Sequence, residues 1–163
     1  MGETPYILKQ SDIAAMPGTD KTHFLNANAK RLNKSLGDAT GLTGIGVHLV
    51  EVAPGHETTE HHLHHHEDEC VYVLSGHATA YLGDEAHPIG PGDFLGYRKG
   101  GLAHSIRNTG DETLRCLVVG ERLAHDVGDY PRQGKRIFRN DGLPWTVAEH
   151  SDLQELGGSV GKK

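Results

Sequence analysis

Between residues 41 and 120 the apolar positions fall into short, alternating runs, at 46–52, 60–65, 69–74, 78–82, 94–97, 103–107 and 114–119. Turn-forming residues separate them: Pro54-Gly55, Ser75-Gly76, Gly83-Asp84, Gly90-Pro91-Gly92, Gly100-Gly101 and Asn108 to Asp111. Strands of about 4–8 residues with turn chemistry every 8–12 residues are the pattern of a sandwich or barrel. None of these runs has the helical period that a crossover between parallel strands needs. The middle of the chain therefore reads as all-β and antiparallel. Residues 1–40 are polar and weakly patterned, with a short helix expected near 12–16 and ended by Pro17-Gly18. Residues 121–163 read as polar and loop-rich, with Tyr130-Pro131 and Leu143-Pro144-Trp145 as packing anchors and a frayed end over 157–163. The reading is thus one domain: an N-terminal extension (1–40), a barrel core (41–120) and a C-terminal extension (121–163).

Composition narrows the function classes. The 163 residues carry a net charge of −6, and no basic cluster suggests a nucleic-acid footprint. The longest apolar run, Cys70 to Leu74, is far short of the ~20 residues of a membrane span. No secretory signal is visible at the N-terminus, so the expected location is the cytoplasm. Cys70 and Cys116 sit in apolar runs and read as small buried hydrophobes in a reducing compartment, with a disulfide between them left open. Histidine is in excess, with 13 residues, and glycine reaches 22.

Six of the histidines fall between Pro54 and Gly76, in PGHETTEHHLHHHEDECVYVLSG. Side chains alternate faces along a strand, so His62 and His64 share one side while His61, Leu63 and His65 share the other. A His-x-His pair on one face can place two imidazole nitrogens about 2.0–2.2 Å from one metal ion. Glu69 lies five residues beyond His64 and joins that face only if the chain turns or bulges over 65–68. Farther on, His104 follows a Gly-Gly pair in GDFLGYRKGGLAHSIRN. Nothing local connects it to the first cluster.

Together the two segments resemble the paired motifs of the cupin superfamily. Gly55, His62, His64, Glu69 and Gly76 match the first, with six residues rather than the family's five between Gly55 and His62. Gly92, Gly100, His104 and Asn108 match the second, in which Arg98 stands at the usual proline. The 15 residues between Gly76 and Gly92 are the short spacer of compact bacterial members. The resemblance implies an antiparallel jelly-roll barrel (a double-stranded β-helix) in which His62, His64, Glu69 and His104 converge on one divalent metal. Three imidazoles and a carboxylate suit Zn, Fe, Mn, Ni or Co.

The resemblance also implies a small-molecule ligand and a homodimer. The function it suggests first is metal-dependent isomerisation of a small anionic, oxygen-rich substrate such as a sugar phosphate. Arg98 and Lys99 are the candidates to hold the anion, and Tyr97 and Arg98 are the catalytic candidates. The alternatives are an iron-dependent dioxygenase and a non-catalytic sensor or binding module. The surplus His61, His65 and His66 read as exposed or mouth-lining, the remaining histidines as structural or surface, and Tyr72, Tyr81 and Phe94 as barrel packing.

Overall fold

The computed structural model describes residues 4–156, so the expectation for 157–163 lies outside the described residues. Thirteen strands run in chain order: β1 (Thr19–His23), β2 (Asn26–Ser35), β3 (Ile45–Val52), β4 (Leu63–His64), β5 (Glu69–Ser75), β6 (Ala78–Leu82), β7 (Glu85–Ile89), β8 (Phe94–Tyr97), β9 (His104–Arg107), β10 (Leu114–Glu121), β11 (His125–Tyr130), β12 (Lys135–Asn140) and β13 (Thr146–Glu149). Two helices, α1 (Gln10–Ala15) and α2 (Leu36–Ala39), are single turns or little more. Among the described residues no helix is long and apolar enough to cross a membrane.

Every strand pairing is antiparallel. A six-stranded sheet has the order β1-β2-β3-β10-β5-β8, a four-stranded sheet β13-β12-β11-β4, and a three-stranded sheet β7-β6-β9. This is an antiparallel jelly-roll architecture: the alternating runs implied an antiparallel sandwich or barrel, and the resemblance implied the jelly roll. Alternation in β5 turns Val71 and Val73 inward, against Val50, Val52, Cys116 and Leu114 of the same sheet and Ala78, Ala80, Ile89 and Ile106 of the small sheet. The opposite face of β5 carries Tyr72 and Leu74, both more than two-fifths exposed, and Tyr72 pairs with the still more exposed Phe94. Tyr72 and Phe94 thus lie outside the core they were expected to fill. Cys70 and Cys116 are both free thiols.

The flanking segments contribute more than their composition suggests. β2 is the longest strand, and its residues Leu32 to Ser35 pair with Glu51 to His48 of β3, so the N-terminal segment widens the main sheet. α1 is stabilised by the Asp12 side chain, which accepts from the Lys9 backbone amide at 2.7 Å, and by Lys34, whose Nζ donates to the Ile13 carbonyl at 3.1 Å. The expected loop at 121–163 instead contains β11, β12 and β13. β7 also escaped the sequence pattern. Its Pro88 cannot donate to a sheet ladder, and β7 accommodates it by lying at a sheet edge.

Two motif positions have visible backbone roles. Gly76 has φ 84°, and a Cβ there would meet Leu114 Cα and Thr113 O at 2.9 Å, so only glycine fits between β5 and β6. Asn108 is fully buried. Its Nδ2 donates to the carbonyls of Val52 and Glu112, each at 2.8 Å, and its Oδ1 accepts from the Gly110 amide at 3.1 Å. That single side chain satisfies a turn that would otherwise bury bare polar groups.

Candidate metal centre

The three sheets meet where the histidine run passes through the barrel. The amide of His62 donates to the His104 carbonyl at 3.0 Å and the amide of His104 to the His62 carbonyl at 2.8 Å. Residues that exchange both hydrogen bonds lie directly opposite, with side chains on the same face. This bridge brings His104 of β9 beside His62, 42 positions earlier in the chain. His64 belongs to β4 and pairs with Gly128 of β11. The chain then bends at His65–His66, which resolves the odd spacing to Glu69 at the start of β5. Gly100, also at positive φ, donates its amide to the His64 carbonyl at 2.7 Å and ties the second motif to the first.

The side chains converge. The Nε2 atoms of His62, His64 and His104 lie 3.8, 3.7 and 3.9 Å from Glu69 Oε2. These separations exceed a hydrogen bond, so no proton is shared among them. Two donor atoms each about 2.1 Å from a common ion stand roughly 3.0–4.2 Å apart at angles from 90° to 180°, and the observed distances fall in that range. The remaining ring nitrogens are already engaged. His62 Nδ1 donates to the Glu60 carbonyl at 2.9 Å, His64 Nδ1 to Asp126 Oδ2 at 2.6 Å, and His104 Nδ1 to the Leu102 carbonyl at 3.4 Å. With the proton placed on Nδ1, each Nε2 presents its lone pair to the centre, the tautomer metal ligation requires. His104 Nε2 is buried and has no hydrogen-bond partner. An uncompensated buried acceptor costs about 1–3 kcal/mol, and a cation at this point would remove that cost. His62, Glu69 and His104 bring ligand atoms within 4.8 Å of one another, a group that fits a divalent metal, and His64 Nε2 offers a further donor 3.7 Å from Glu69.

Burial alone would raise the Glu69 carboxyl pKa, but the imidazoles of His104 and His62 outweigh it and hold the group well below the usual carboxylate range. Burial lowers the pKa of His62. His64 is likewise disfavoured as a cation by burial, yet Asp126 and Glu69 more than compensate and raise its pKa. Asp126 is 2 % exposed, and its pKa is held at about 2 despite burial, chiefly by the bond from His64. Arg139 Nη2 donates to Asp126 Oδ2 at 3.1 Å and also to Glu67. Glu67, Asp126 and His64 Nδ1 also lie close enough together to suggest a second ion site. There, however, Arg139 already supplies the positive charge, and the cluster serves as a support for His64.

The centre opens into a cavity of about 1080 Å³ lined by one face of the six-stranded sheet together with residues of β9, β12 and the adjoining loops. Alternate residues line it: Lys21 of β1, Arg31 and Asn33 of β2, His48 and Val50 of β3, Val118 of β10, Val71 of β5 and Tyr97 of β8. The Tyr97 ring stacks on His104, with centroids 3.6 Å apart and planes 7° from parallel. Burial, and then the Glu69 carboxylate, raises the Tyr97 phenol pKa, and its hydroxyl has no partner.

Arg98 and Lys99 are placed elsewhere. Both are exposed; neither lines this cavity, and Lys99 borders a separate shallow depression with His65 and His66. His61, expected to be exposed or mouth-lining, is 3 % exposed and does not line the cavity; its Nδ1 is 3.1 Å from Ser105 Oγ, and its pKa is pushed down to about 4, first by burial. The residues that sequence reasoning passed over are Asp126, Glu67, Arg31 and His48. His64 and Asp126 are 62 positions apart, and nothing local links them.

The profile of the cupin domain family matches residues 48–120, which include all four converging side chains. A protein of Acidithiobacillus ferrooxidans called a "putative sugar phosphate isomerase" is 51 % identical, with a TM-score of 0.90 over 93 % of this chain and 96 % of that one. The chain belongs to the cupin superfamily. This cupin is also similar to a sugar phosphate isomerase of that superfamily from Silicibacter pomeroyi, with 28 % identity and a TM-score of 0.73 over 90 % of this chain and 91 % of that one. The polyketide cyclase RemF of Streptomyces resistomycificus shares the barrel at 26 % identity and a TM-score of 0.50, over 56 % of this chain and 62 % of that one. None of the curated proteins matches the chain.

Proposed function

We propose that this cupin is a metal-dependent isomerase of small phosphorylated sugars. The observation that carries the reading is the convergence of three lone-pair-bearing Nε2 atoms on Glu69 Oε2, with His104 Nε2 buried and unpartnered. Similarity along nearly the whole chain to a protein called a putative sugar phosphate isomerase supports the choice of substrate class.

In this reading His62, His64, Glu69 and His104 hold the ion, which is Mn, Fe, Co, Ni or Zn by the hardness of the donor set. Such an ion supplies Lewis-acid polarisation of adjacent carbonyl and hydroxyl oxygens. Asp126 orients His64, and Tyr97 fixes the plane of His104 by stacking. Aldose–ketose isomerisation moves one proton between neighbouring carbons and one between their oxygens. Tyr97 is suited to hold a proton at its phenol oxygen, which is buried beside the cluster and has no hydrogen-bond partner of its own. The cavity is large enough for a sugar phosphate, since ligand pockets commonly span about 300–1000 Å³.

The test is turnover. Protein reconstituted with Mn, Fe or Zn is incubated with a panel of aldose and ketose phosphates, beside His104→Ala as control. Interconversion that requires both metal and His104 is expected; no turnover above the control with any metal overturns the isomerase. Oxygen uptake by the iron form would instead support a dioxygenase. We extend the reading to a cytoplasmic homodimer, for which light scattering should give twice the 17.6 kDa chain mass.

A further inference from the structure

Four Lys or Arg side chains line the cavity, and two of them are neutralised. Arg122 Nη1 lies 2.6 Å from Asp38 Oδ1. Arg139 is held by Glu67 and Asp126 and lies over the Trp145 ring, 5.2 Å from its centroid. Lys21 and Arg31 are different. Among the described residues neither has a carboxylate oxygen within 4.0 Å, although both line the same cavity as Glu69. They are also directly opposite each other in the β1–β2 pair. Like charges in that relation are destabilising.

Arg31 has spare hydrogen-bonding capacity as well. Its Nη1 donates to the Thr58 carbonyl, while its Nε is buried without a partner. Asn33 follows two residues later on the same face, and its Nδ2 is 3.2 Å from His48 Nδ1. A lysine on an exposed edge strand is a common guard against edge-to-edge pairing. That role does not account for a second cation facing it across the pair, partly buried and with no carboxylate in contact, Glu69 acting on it only from a distance.

We propose that Lys21 and Arg31 form the anion subsite of this cavity and hold the phosphoryl group of a small phosphorylated substrate whose oxygens reach the His62–His64–Glu69–His104 cluster. The inference rests on the isomerase reading for the identity of the substrate, but its chemistry stands on these two cations alone. A phosphoryl group offers several acceptor oxygens to a guanidinium fork and an ammonium, and it would turn the repulsive cross-strand pair into a bridged one. It also assigns a use to β2, which carries no catalytic motif. Arg98 and Lys99, outside the cavity, have no part in this subsite.

The experiment uses inorganic phosphate as probe, titrated calorimetrically into the metal-loaded protein and into His104→Ala, which removes the competing possibility that phosphate binds the metal. Phosphate is expected to bind both forms. Arg31→Gln should weaken it by about tenfold or more, as expected for losing a charge-assisted bond, with metal content unchanged. Arg31→Lys should restore part of the loss. Lys21→Gln, on an exposed edge where folding is not at risk, should weaken binding by roughly threefold, and added salt should weaken it further.

Unchanged phosphate affinity in a folded Arg31→Gln protein overturns the subsite, as does phosphate binding that depends on His104 but on neither cation. The two readings fail separately. If phosphate binding needs Arg31 but no sugar phosphate turns over, the isomerase falls and the subsite stands. If turnover persists in Arg31→Gln with unchanged KM, the isomerase stands and the subsite falls.

Discussion

Glu69 and Asp129 are both carboxylates held below their usual pKa range, yet their surroundings differ in kind. Asp129 is closed off by donors. Arg136 grips it through Nε at 2.6 Å and Nη2 at 2.8 Å, His65 Nε2 adds a contact at 2.8 Å and His150 Nε2 another at 3.0 Å. Glu69 faces three imidazole nitrogens at 3.7–3.9 Å and bonds to none of them. The first arrangement is complete within the chain; the second leaves a position that another charge can occupy. A cluster of titratable groups therefore signals a site when its hydrogen bonds are missing, not when they are dense.

Breaking each half should affect different observables. His104→Ala is expected to abolish stoichiometric metal binding while the barrel remains folded, checked by elemental content and circular dichroism. Asp129→Ala should leave metal stoichiometry unchanged but lower stability by about 1–2 kcal/mol, because it removes the shared acceptor of Arg136, His65 and His150, whose side chains still reach solvent. In a chain of this size that corresponds to a fall in Tm of roughly 2–8 °C. Asp126→Asn lies between the two: it weakens the orientation of His64, and calorimetry should show metal affinity reduced about 10–100-fold.

A smaller effect should appear with pH. The Asp129 pKa is depressed on folding, chiefly by Arg136, so its stabilisation is fully present above the unfolded carboxylate pKa of about 4. It is then lost as pH falls from there through the lower folded value. Asp129→Asn should accordingly lose less stability between neutral pH and pH 3 than the parent protein, and thermal melts across that range would show it. The smallest effect belongs to Arg98→Ala and Lys99→Ala. As exposed residues outside the cavity, with no side-chain ion pair among the described residues, they should shift stability by within about 0.5 kcal/mol and leave metal and phosphate binding as they were. A large loss of phosphate binding in either variant would dissolve the contrast between cavity and exterior.

Much of the barrel was legible because alternation survives wherever one strand face is buried. Strands β3, β5, β6, β8, β9 and β10 all lie close to the expected runs. The pattern is weak where both faces are polar, as in NANAKRLNKS of β2, whose cavity face carries Arg31 and Asn33 while Lys34 reaches back to α1. It also fails where a strand is an edge, as at Pro88, and where charged residues break the alternation, as in HDVGDY and KRIFRN of β11 and β12. The same limit applies to the centre. His62, His64 and Glu69 stand close enough in sequence for their spacing to carry information. Asp126 does not, and neither does the pairing of Lys21 with Arg31.

By itself the sequence determined the alternation that makes an antiparallel barrel, the glycines at its turns, and two motifs whose side chains are able to ligate a metal. Both depend on residue type and on separations of a few positions, over which backbone geometry is nearly rigid. Only the tertiary structure decided that His104 sits opposite His62, that Asp126 supports His64, that Arg98 and Lys99 lie outside the cavity, and that Lys21 and Arg31 remain uncompensated within it. Those relations are set by strand register and sheet order, which close contacts between residues tens of positions apart and leave no periodic trace in the chain.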